Sequence, residues 1–168
     1  QSSFIDAKEL RHPIIEIIQK DIEYVPNDIK IGGKYKGFLL YGTNASGKSS
    51  LMKSLGLNII MAQAGMYVAA SEFKFFPYDY LFTRIRNSDN LFKGQSSFAV
   101  EISELRDILK RANNKSLVLG DELCSGTESY SALAIFSASV YKLSHSSVNF
   151  IFATHLHDLV DIPVIKNL

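Results

Sequence analysis

Three short apolar runs stand out along the chain, at residues 38–41, 117–119 and 148–153. Runs of this length without polar alternation are typical of strands buried on both faces of a parallel sheet. Longer segments with helical patterns lie between these runs. They cover residues 48–63, 98–112 and 129–143. Strands that alternate with helices indicate an α/β domain with a mainly parallel central sheet flanked by helices.

Aromatic residues are concentrated in residues 72–85, and several of them alternate with other residue types. Alternation with a period of two indicates strands rather than a helix. A nucleic-acid stacking platform is the other interpretation, but little basic charge accompanies these rings: Lys74, and then Arg84 and Arg86. Core packing is therefore the favoured interpretation of this stretch.

The other segments carry weaker patterns. Residues 1–11 have little periodicity, residues 14–31 suggest short strands and turns around Pro26, and residues 88–97 are polar and predict a loop. We also expect a smaller antiparallel portion, which the patterns assign to no particular segment. No repeat or linker divides the chain, so residues 1–168 are interpreted as one domain.

Composition narrows the class of protein only a little. The chain is 46% hydrophobic and 21% charged, with a formal net charge of +1, which argues neither for nor against nucleic acid as a partner. The single cysteine, Cys124, excludes an internal disulfide and favours an intracellular protein. Gln1 stands where a complete chain would have Met, so we interpret the sequence as part of a longer protein or as a chain whose first residues are missing.

Residues 54–71 carry no charge, yet Asn58 and Gln63 interrupt their apolar character. A buried helix with its following turn explains this stretch better than a membrane span does. We therefore expect no membrane partner.

Residues 42–49 match the spacing G-x-x-x-x-G-K-[ST], between a predicted strand and a predicted helix. Glycines let the backbone N–H groups face phosphate oxygens, and the start of the next helix adds positive charge. Lys48 is expected at the β- and γ-phosphates, and the Ser49 hydroxyl at Mg²⁺. The motif predicts binding of Mg²⁺ and ATP; a chance match in a surface loop would lack the flanking strand and helix.

Two carboxylates, Asp121 and Glu122, end the second apolar run. In phosphate-loop enzymes a second strand brings an acid beside Mg²⁺, and Asp121 fits that role. Glu122 can then orient or deprotonate the attacking water. Two acids at a strand end are also common on solvated surfaces, and the phosphate loop is what favours the catalytic interpretation.

His155 follows the third apolar run, at the sheet edge where open α/β folds bind ligands. A contact with the γ-phosphate or the attacking water is the functional hypothesis, and a structural histidine is the alternative. His157 and Asp158 lie nearby, but no further ligand cluster supports a structural metal. A nucleophilic Cys124 is rejected, because no base is assigned to it.

Together these residues resemble the ATPase domain of the MutS family of DNA mismatch-recognition proteins. The resemblance rests on five ordered motifs. They are Arg11-His12-Pro13; residues 42–50; Ser96-Ser97-Phe98 with Glu101; Asp121-Glu122-Leu123 with Gly126-Thr127; and Ala153-Thr154-His155 with His157 and Leu159.

The resemblance implies an ATPase of the ABC type whose nucleotide site is shared by two subunits. It implies a nucleotide-binding set of Tyr24, which would stack on adenine, with Gly42, Thr43, Asn44, Ala45, Ser46, Gly47, Lys48, Ser49 and Ser50. It implies a catalytic set of Glu122, Lys48, His155, Asn44 and Ser96, and Mg²⁺ held by Ser49 and Asp121. Tyr24 could instead cover a strand edge. Ser96 would reach the γ-phosphate of a second copy or a paralogous subunit, and it could also cap a helix.

The resemblance also implies that DNA is contacted through mismatch-binding and clamp parts that these residues do not include, and that a helix-turn-helix completing the dimer is absent. The sequence departs from the family pattern, indicating a divergent branch. The departures are Thr43, Ala45, Ser46 and Ser50 in the phosphate loop, Cys124 and Ser125 after the acids, and Gln95 before the serine pair.

Two other functions are weighed against a mismatch-repair ATPase. A transporter or chromosome-organising ATPase would carry an L-S-G-G-Q-like signature, and residues 94–97 are the nearest approach to one. A non-hydrolysing nucleotide-binding module would not need Asp121 and Glu122.

Overall fold

The protein was analysed as a computed structural model that describes residues 1–21, 23–43, 46–85, 97–123 and 129–154. Within these ranges the chain forms seven strands and four helices. The strands are β1 (Phe4–Leu10), β2 (Asn27–Ile31), β3 (Gly37–Tyr41), β4 (Glu72–Phe76), β5 (Tyr80–Arg84), β6 (Ser116–Asp121) and β7 (Asn149–Thr154). The helices are α1 (Ile15–Ile18), α2 (Lys48–Gln63), α3 (Ser97–Arg111) and α4 (Ser129–His145).

The strands form two sheets. One is antiparallel, with the order β2-β1-β4, and the other is parallel, with the order β3-β7-β6-β5. This agrees with the expectation of a mainly parallel sheet and a smaller antiparallel portion. In the parallel sheet, β6 and β7 occupy the centre, and all twelve of their residues are buried.

Alternate residues of β6 and β7 point into two separate cores. Leu117, Leu119, Ile151 and Ala153 join α2 and the antiparallel sheet in the first core. Their neighbours on the opposite face are Val118, Phe150 and Phe152, which pack in the second core with residues of α3 and α4. The unbroken apolar runs in the sequence follow from this, since both faces of the sheet are covered.

Two glycines make room for the largest side chains of the second core. A Cβ atom at Gly37 would lie 2.2 Å from the ring of Phe150, and one at Gly120 would lie 2.7 Å from the ring of Phe152. Gly120 directly precedes Asp121, so the Phe152 ring packs against the backbone that carries the first predicted acid.

Most predicted elements are found within one or two residues of their expected ends, but β1 and α1 were not foreseen. β1 buries Ile5, Ala7 and Leu10, and its register shifts between Ala7 and Leu10. Glu9 has a positive φ of 50° within this bulge. The extra residue interrupts the period of two, which explains the weak pattern in residues 1–11.

Helix α1 lies where only strands and turns were expected. The ring nitrogen Nδ1 of buried His12 accepts hydrogen bonds from the backbone N–H groups of Ile14 and Ile15, both at 3.2 Å. These bonds satisfy the first donors of the turn, and burial lowers the pKa of His12, which favours the neutral ring that can accept them. The prediction missed α1 because Ile14, Ile17 and Ile18 are exposed and form no buried stripe.

The aromatic stretch packs largely in the interior. Phe73 and Phe75 border the first core, Tyr78 is 5% exposed within it, and Phe82 borders the second core. Tyr80 remains 40% exposed and stacks on Phe82. The structure therefore supports core packing over a stacking platform for most of these rings.

The uncharged stretch after the phosphate loop belongs to α2 and the turn that follows it. No helix in the described ranges has the length and apolar character needed to cross a membrane.

Asn58 of α2 is fully buried and links three segments. Its amide group donates to the carbonyl oxygens of Arg11 and Ser54, and its Oδ1 accepts from the N–H of Ala69. Asn58 thereby fixes the end of β1 and the α2–β4 connection to α2.

Substituting Asn58→Ala should lower the free energy of unfolding by about 2–3 kcal/mol, because the half-buried backbone groups of Arg11 and Ala69 lose their partner and a cavity replaces the buried amide. Urea denaturation measures the change. Asn27→Ala is the matched control: exposed Asn27 makes one local bond to the carbonyl of Val25, and its loss should cost less than about 0.5 kcal/mol. Equal losses for the two variants would contradict the linking role of Asn58.

Candidate functional site

The carboxyl ends of the parallel strands meet at one edge of the sheet, because parallel strands all run in the same direction. Tyr41, Thr154, Asp121 and Arg84 are the last residues of β3, β7, β6 and β5 in spatial order. The phosphate-loop motif follows Tyr41 directly. This edge therefore gathers the predicted loop and the predicted acids, with the end of β7 between them.

The backbone of the loop adopts conformations that its glycines allow. Gly47, the residue before α2, has a φ of 93°, in the left-handed region where glycine is favoured. A Cβ atom at Gly42 would lie 2.8 Å from Oγ of Ser46, so a side chain there would crowd the loop. Among the described residues, no side chain caps the first turn of α2. Its N–H groups thus face outward at a half-exposed helix start, which suits an anion.

The Lys48 ammonium lies over the loop. Nζ donates hydrogen bonds to the carbonyl oxygens of Gly42 at 2.8 Å and Thr43 at 2.9 Å. These bonds hold the positive charge above the loop backbone and leave it half-exposed. An anion seated on the loop would find this charge already in place.

Ser49 and Asp121 are in direct contact, although 72 residues separate them. The Ser49 hydroxyl donates a hydrogen bond to Oδ2 of Asp121, which joins the start of α2 to the end of β6. Asp121 is 6% exposed, and its Oδ1 is buried without a hydrogen-bond partner among the described residues. An unsatisfied buried carboxylate oxygen is costly.

This pair fits a magnesium ion. A hydroxyl oxygen and a carboxylate are hard oxygen ligands, and Mg²⁺ is commonly held by one or two such groups together with phosphate oxygens and water. A cation near Asp121 would also satisfy its buried Oδ1. No cluster of three or more His, Cys, Asp or Glu side chains with metal-site geometry occurs in the part of the chain that the structure describes.

Glu122 follows Asp121 with a φ of 50°, which is uncommon for a residue other than glycine. Its backbone N–H donates to the carbonyl oxygen of Ala153 at 2.9 Å, so the end of β7 holds this backbone turn in place. The side chain is half-buried. Strained backbone of this kind is often found at functional sites, where neighbouring structure maintains it.

Tyr24 lies beside the second turn of α2. The buried hydroxyl of Ser54 donates to the carbonyl oxygen of Ser50 at 2.8 Å, so its single proton is already used. The Tyr24 hydroxyl, 3.1 Å away, therefore donates to Ser54. This bond places a half-exposed ring near the helix that begins at the loop. Ser54 was not foreseen as a partner of Tyr24, because nothing in the sequence signals a contact over 30 residues.

The structure thus brings together Lys48, Ser49, Asp121 and Glu122, with Tyr24 nearby. Several predicted residues lie outside the described residues: Asn44 and Ala45 in the loop, Ser96 before α3, Cys124 after the acids, and His155 after β7. Their proposed roles stay predictions.

Burial raises the pKa of Tyr41, which ends β3, so its hydroxyl stays protonated near neutral pH.

Comparison with known proteins identifies similar sequences over almost the whole chain. The family model of MutS domain V matches residues 38–167. A mitochondrial DNA mismatch repair protein mutS homolog of Sarcophyton glaucum is 46% identical over 164 residues, covering 96% of this chain and 16% of that protein. The DNA mismatch repair protein MutS of Lactococcus lactis is 40% identical over 162 residues, covering 96% of this chain and 19% of that protein.

A putative DNA mismatch repair protein mutS homolog of Acanthamoeba polyphaga mimivirus is 40% identical, covering 99% of this chain and 18% of that protein. The chain therefore spans less than a fifth of the length of these relatives.

Substituting Gly47→Ala should lower the free energy of unfolding by about 1–2 kcal/mol, because alanine is strained at a φ of 93°. No atom lies within 4 Å of the added Cβ, so backbone strain alone sets the loss. Urea denaturation measures it. Gly33→Ala is the matched control, with a φ of 60° and equally open space, and should cost a similar amount. A Gly47 variant as stable as the wild type would contradict the described conformation of the loop.

Proposed function

Since this chain belongs to the MutS family of DNA mismatch repair proteins, we propose that it is the family's ATPase domain, an ABC-type phosphate-loop fold that binds ATP with Mg²⁺ and hydrolyses it. One observation carries this proposal. The Ser49 hydroxyl and the Asp121 carboxylate meet at the mouth of the phosphate loop, and Oδ1 of Asp121 is buried without a partner among the described residues. In phosphate-loop enzymes, a serine and an acid from distant segments lie together because both bind the same cation.

The loop binds the triphosphate through its backbone and Lys48. The N–H groups at the start of α2 donate to phosphate oxygens, and the Lys48 ammonium turns from the Gly42 and Thr43 carbonyls toward the same charge. A magnesium ion held there would neutralise part of the charge of the phosphates. Ser49 and Asp121 supply its protein oxygen ligands. The carbonyl oxygen of Ser50 accepts the hydrogen bond of Ser54, and the Ser54 hydroxyl holds Tyr24 in place.

Tyr24 selects the nucleotide by its base. Its hydroxyl is held by Ser54, and the ring is then available to stack on adenine. A tyrosine that only covered a strand edge would not need a fixed hydroxyl at the helix following the loop.

Glu122 acts on the attacking water. Its backbone is fixed by Ala153, and the strand order places it beside the end of β7, after which His155 comes in the sequence. Glu122 accepts a proton from the water or orients it, while Asn44 and His155 help to hold the water and the γ-phosphate. Because the two acids are adjacent in sequence and differ in burial, they can divide the tasks of binding the cation and activating water.

The active site is completed by a second subunit. Ser96 of a second copy, or of a paralogous subunit, contacts the γ-phosphate, so that ATP binding changes how the two subunits sit together. Through mismatch-binding and clamp parts of a longer protein, that change alters the grip on mismatched DNA, and hydrolysis reverses it. The departures from the family pattern around the loop and after the acids support a divergent branch of the family.

The first test is the rate of ATP hydrolysis per chain over a wide range of protein concentration. We expect specific activity to rise with concentration and then to saturate, because Ser96 of one chain completes the site of another. Lys48→Ala is the control for contaminating ATPases and should abolish the activity at every concentration. Activity that stays flat while mass measurement finds a monomer would remove the trans role from Ser96.

The second test separates binding from hydrolysis. Glu122→Gln should bind ATP with an affinity within about twofold of the wild type. Its rate of hydrolysis should fall by about a hundredfold or more, because the amide cannot accept the proton of the attacking water. Equilibrium binding of a fluorescent ATP analogue and phosphate release measure the two effects. Unchanged turnover would exclude Glu122 as the base. A wild type that binds ATP and never hydrolyses it would favour a non-catalytic nucleotide module.

A further inference from the structure

Arg84 ends β5 at the same edge of the sheet as the proposed active site. Its backbone is paired with Gly120 in the parallel ladder, one residue before Asp121. Arg84 has no part in the roles proposed above. Its charge lies between the sheet and helix α3.

The guanidinium pairs with one carboxylate of α3 and shares a small cavity with a second. Nε of Arg84 lies 3.1 Å from Oε2 of Glu104, although its N–H does not point along this line, so the contact is an ion pair rather than a hydrogen bond. Glu101 is 7% exposed and lines the same small cavity as Arg84, together with Gly120 and Leu123. Residues three apart lie on the same face of a helix, so Glu101 and Glu104 face the sheet edge together.

Apolar and acidic side chains together hold the first half of α3. Ile102 is partly buried against the second core, and Leu105 and Glu101 are buried. Arg84 meets Glu104 on the same half of the helix. The ion pair therefore adds to this packing in fixing the first half of α3 against the sheet.

We propose that Arg84 is a positioning residue of the ATPase site: by pairing with the acidic face of α3, it fixes the beginning of that helix against the end of β6 beside Asp121. This inference rests on the proposed function. Ser96 directly precedes α3 in the sequence, so the placement of this helix start sets where the chain can present that serine. Arg84 thus connects the strand next to Asp121, the proposed magnesium ligand, with the segment that carries Ser96. That serine is proposed to reach the site of the neighbouring subunit.

A purely structural ion pair would change stability but not the kinetics at saturating ATP. A positioning residue should change turnover while leaving ATP binding intact, because Arg84 lies outside the residues proposed to bind the nucleotide. The two possibilities are separated by comparing the variant Arg84→Gln with Arg106→Gln in the whole chain. Arg106 is the matched control: its Nε lies 3.6 Å from Oδ1 of Asp107, both are exposed, and both belong to α3.

Hydrogen exchange of the nucleotide-free protein gives a measurement independent of activity. Arg84→Gln should speed the exchange of amides 100–105 about five- to tenfold relative to wild type, and Arg106→Gln should leave it within about twofold. At a protein concentration where specific activity is saturated, Arg84→Gln should lower kcat about tenfold with KM for ATP within about twofold. Arg84→Lys keeps the charge and should recover part of both effects.

A double-mutant cycle with Glu104→Gln identifies the partner. The effects of Arg84→Gln and Glu104→Gln on kcat should be strongly non-additive, because either change breaks the same contact. Unchanged exchange in Arg84→Gln would overturn the anchoring of α3. Faster exchange with unchanged kcat would overturn its link to the active site. A wild type without ATP binding would instead overturn the proposed function, and the exchange comparison would still decide whether Arg84 anchors the helix.

Discussion

The parallel pairing of β5, β6 and β7 with β3 is the constraint on which the rest of the molecule depends. Because these strands run in one direction, their carboxyl ends share an edge, and the loop after β3 reaches the acids after β6. Burial on both faces secures this pairing, since α2 and the antiparallel sheet cover one face and helices α3 and α4 the other. A change in the register of these strands would therefore disturb the contact between Ser49 and Asp121.

Polar groups inside the first core keep this edge aligned with the remaining structure. Asn58 ties α2 to the end of β1 and to the segment before β4. At the opposite end of the sheet, Asn149 donates to the carbonyl of Ser3 and to the hydroxyl of Tyr78. Burial raises the pKa of Tyr78 to about 12, so this hydroxyl remains a neutral partner throughout the ordinary pH range. Buried and satisfied bonds of this kind specify one arrangement of the two sheets.

The central sheet could be predicted because its strands are apolar on both faces, and α2 because a glycine-rich loop precedes a long helical segment. The antiparallel sheet was harder to foresee. In β1 a bulge with Glu9 at positive φ breaks the alternation on which strand prediction depends. In α1 the capping group is the ring of His12, which carries none of the usual signals of a helix start. The first miss arises where strand pairing overrides the local pattern, and the second where a local cap forms a helix without a buried stripe.

The family can be recognised from the sequence, and the phosphate loop and the two acids can be predicted from it, because each prediction needs only the spacing of a few residues next to a strand end. Which groups meet across the chain follows from the tertiary structure: Ser49 with Asp121, Tyr24 with Ser54, and Arg84 with Glu104 of α3. Such contacts depend on strand order and helix placement. These are set by the burial of side chains from distant segments, and no local pattern records them.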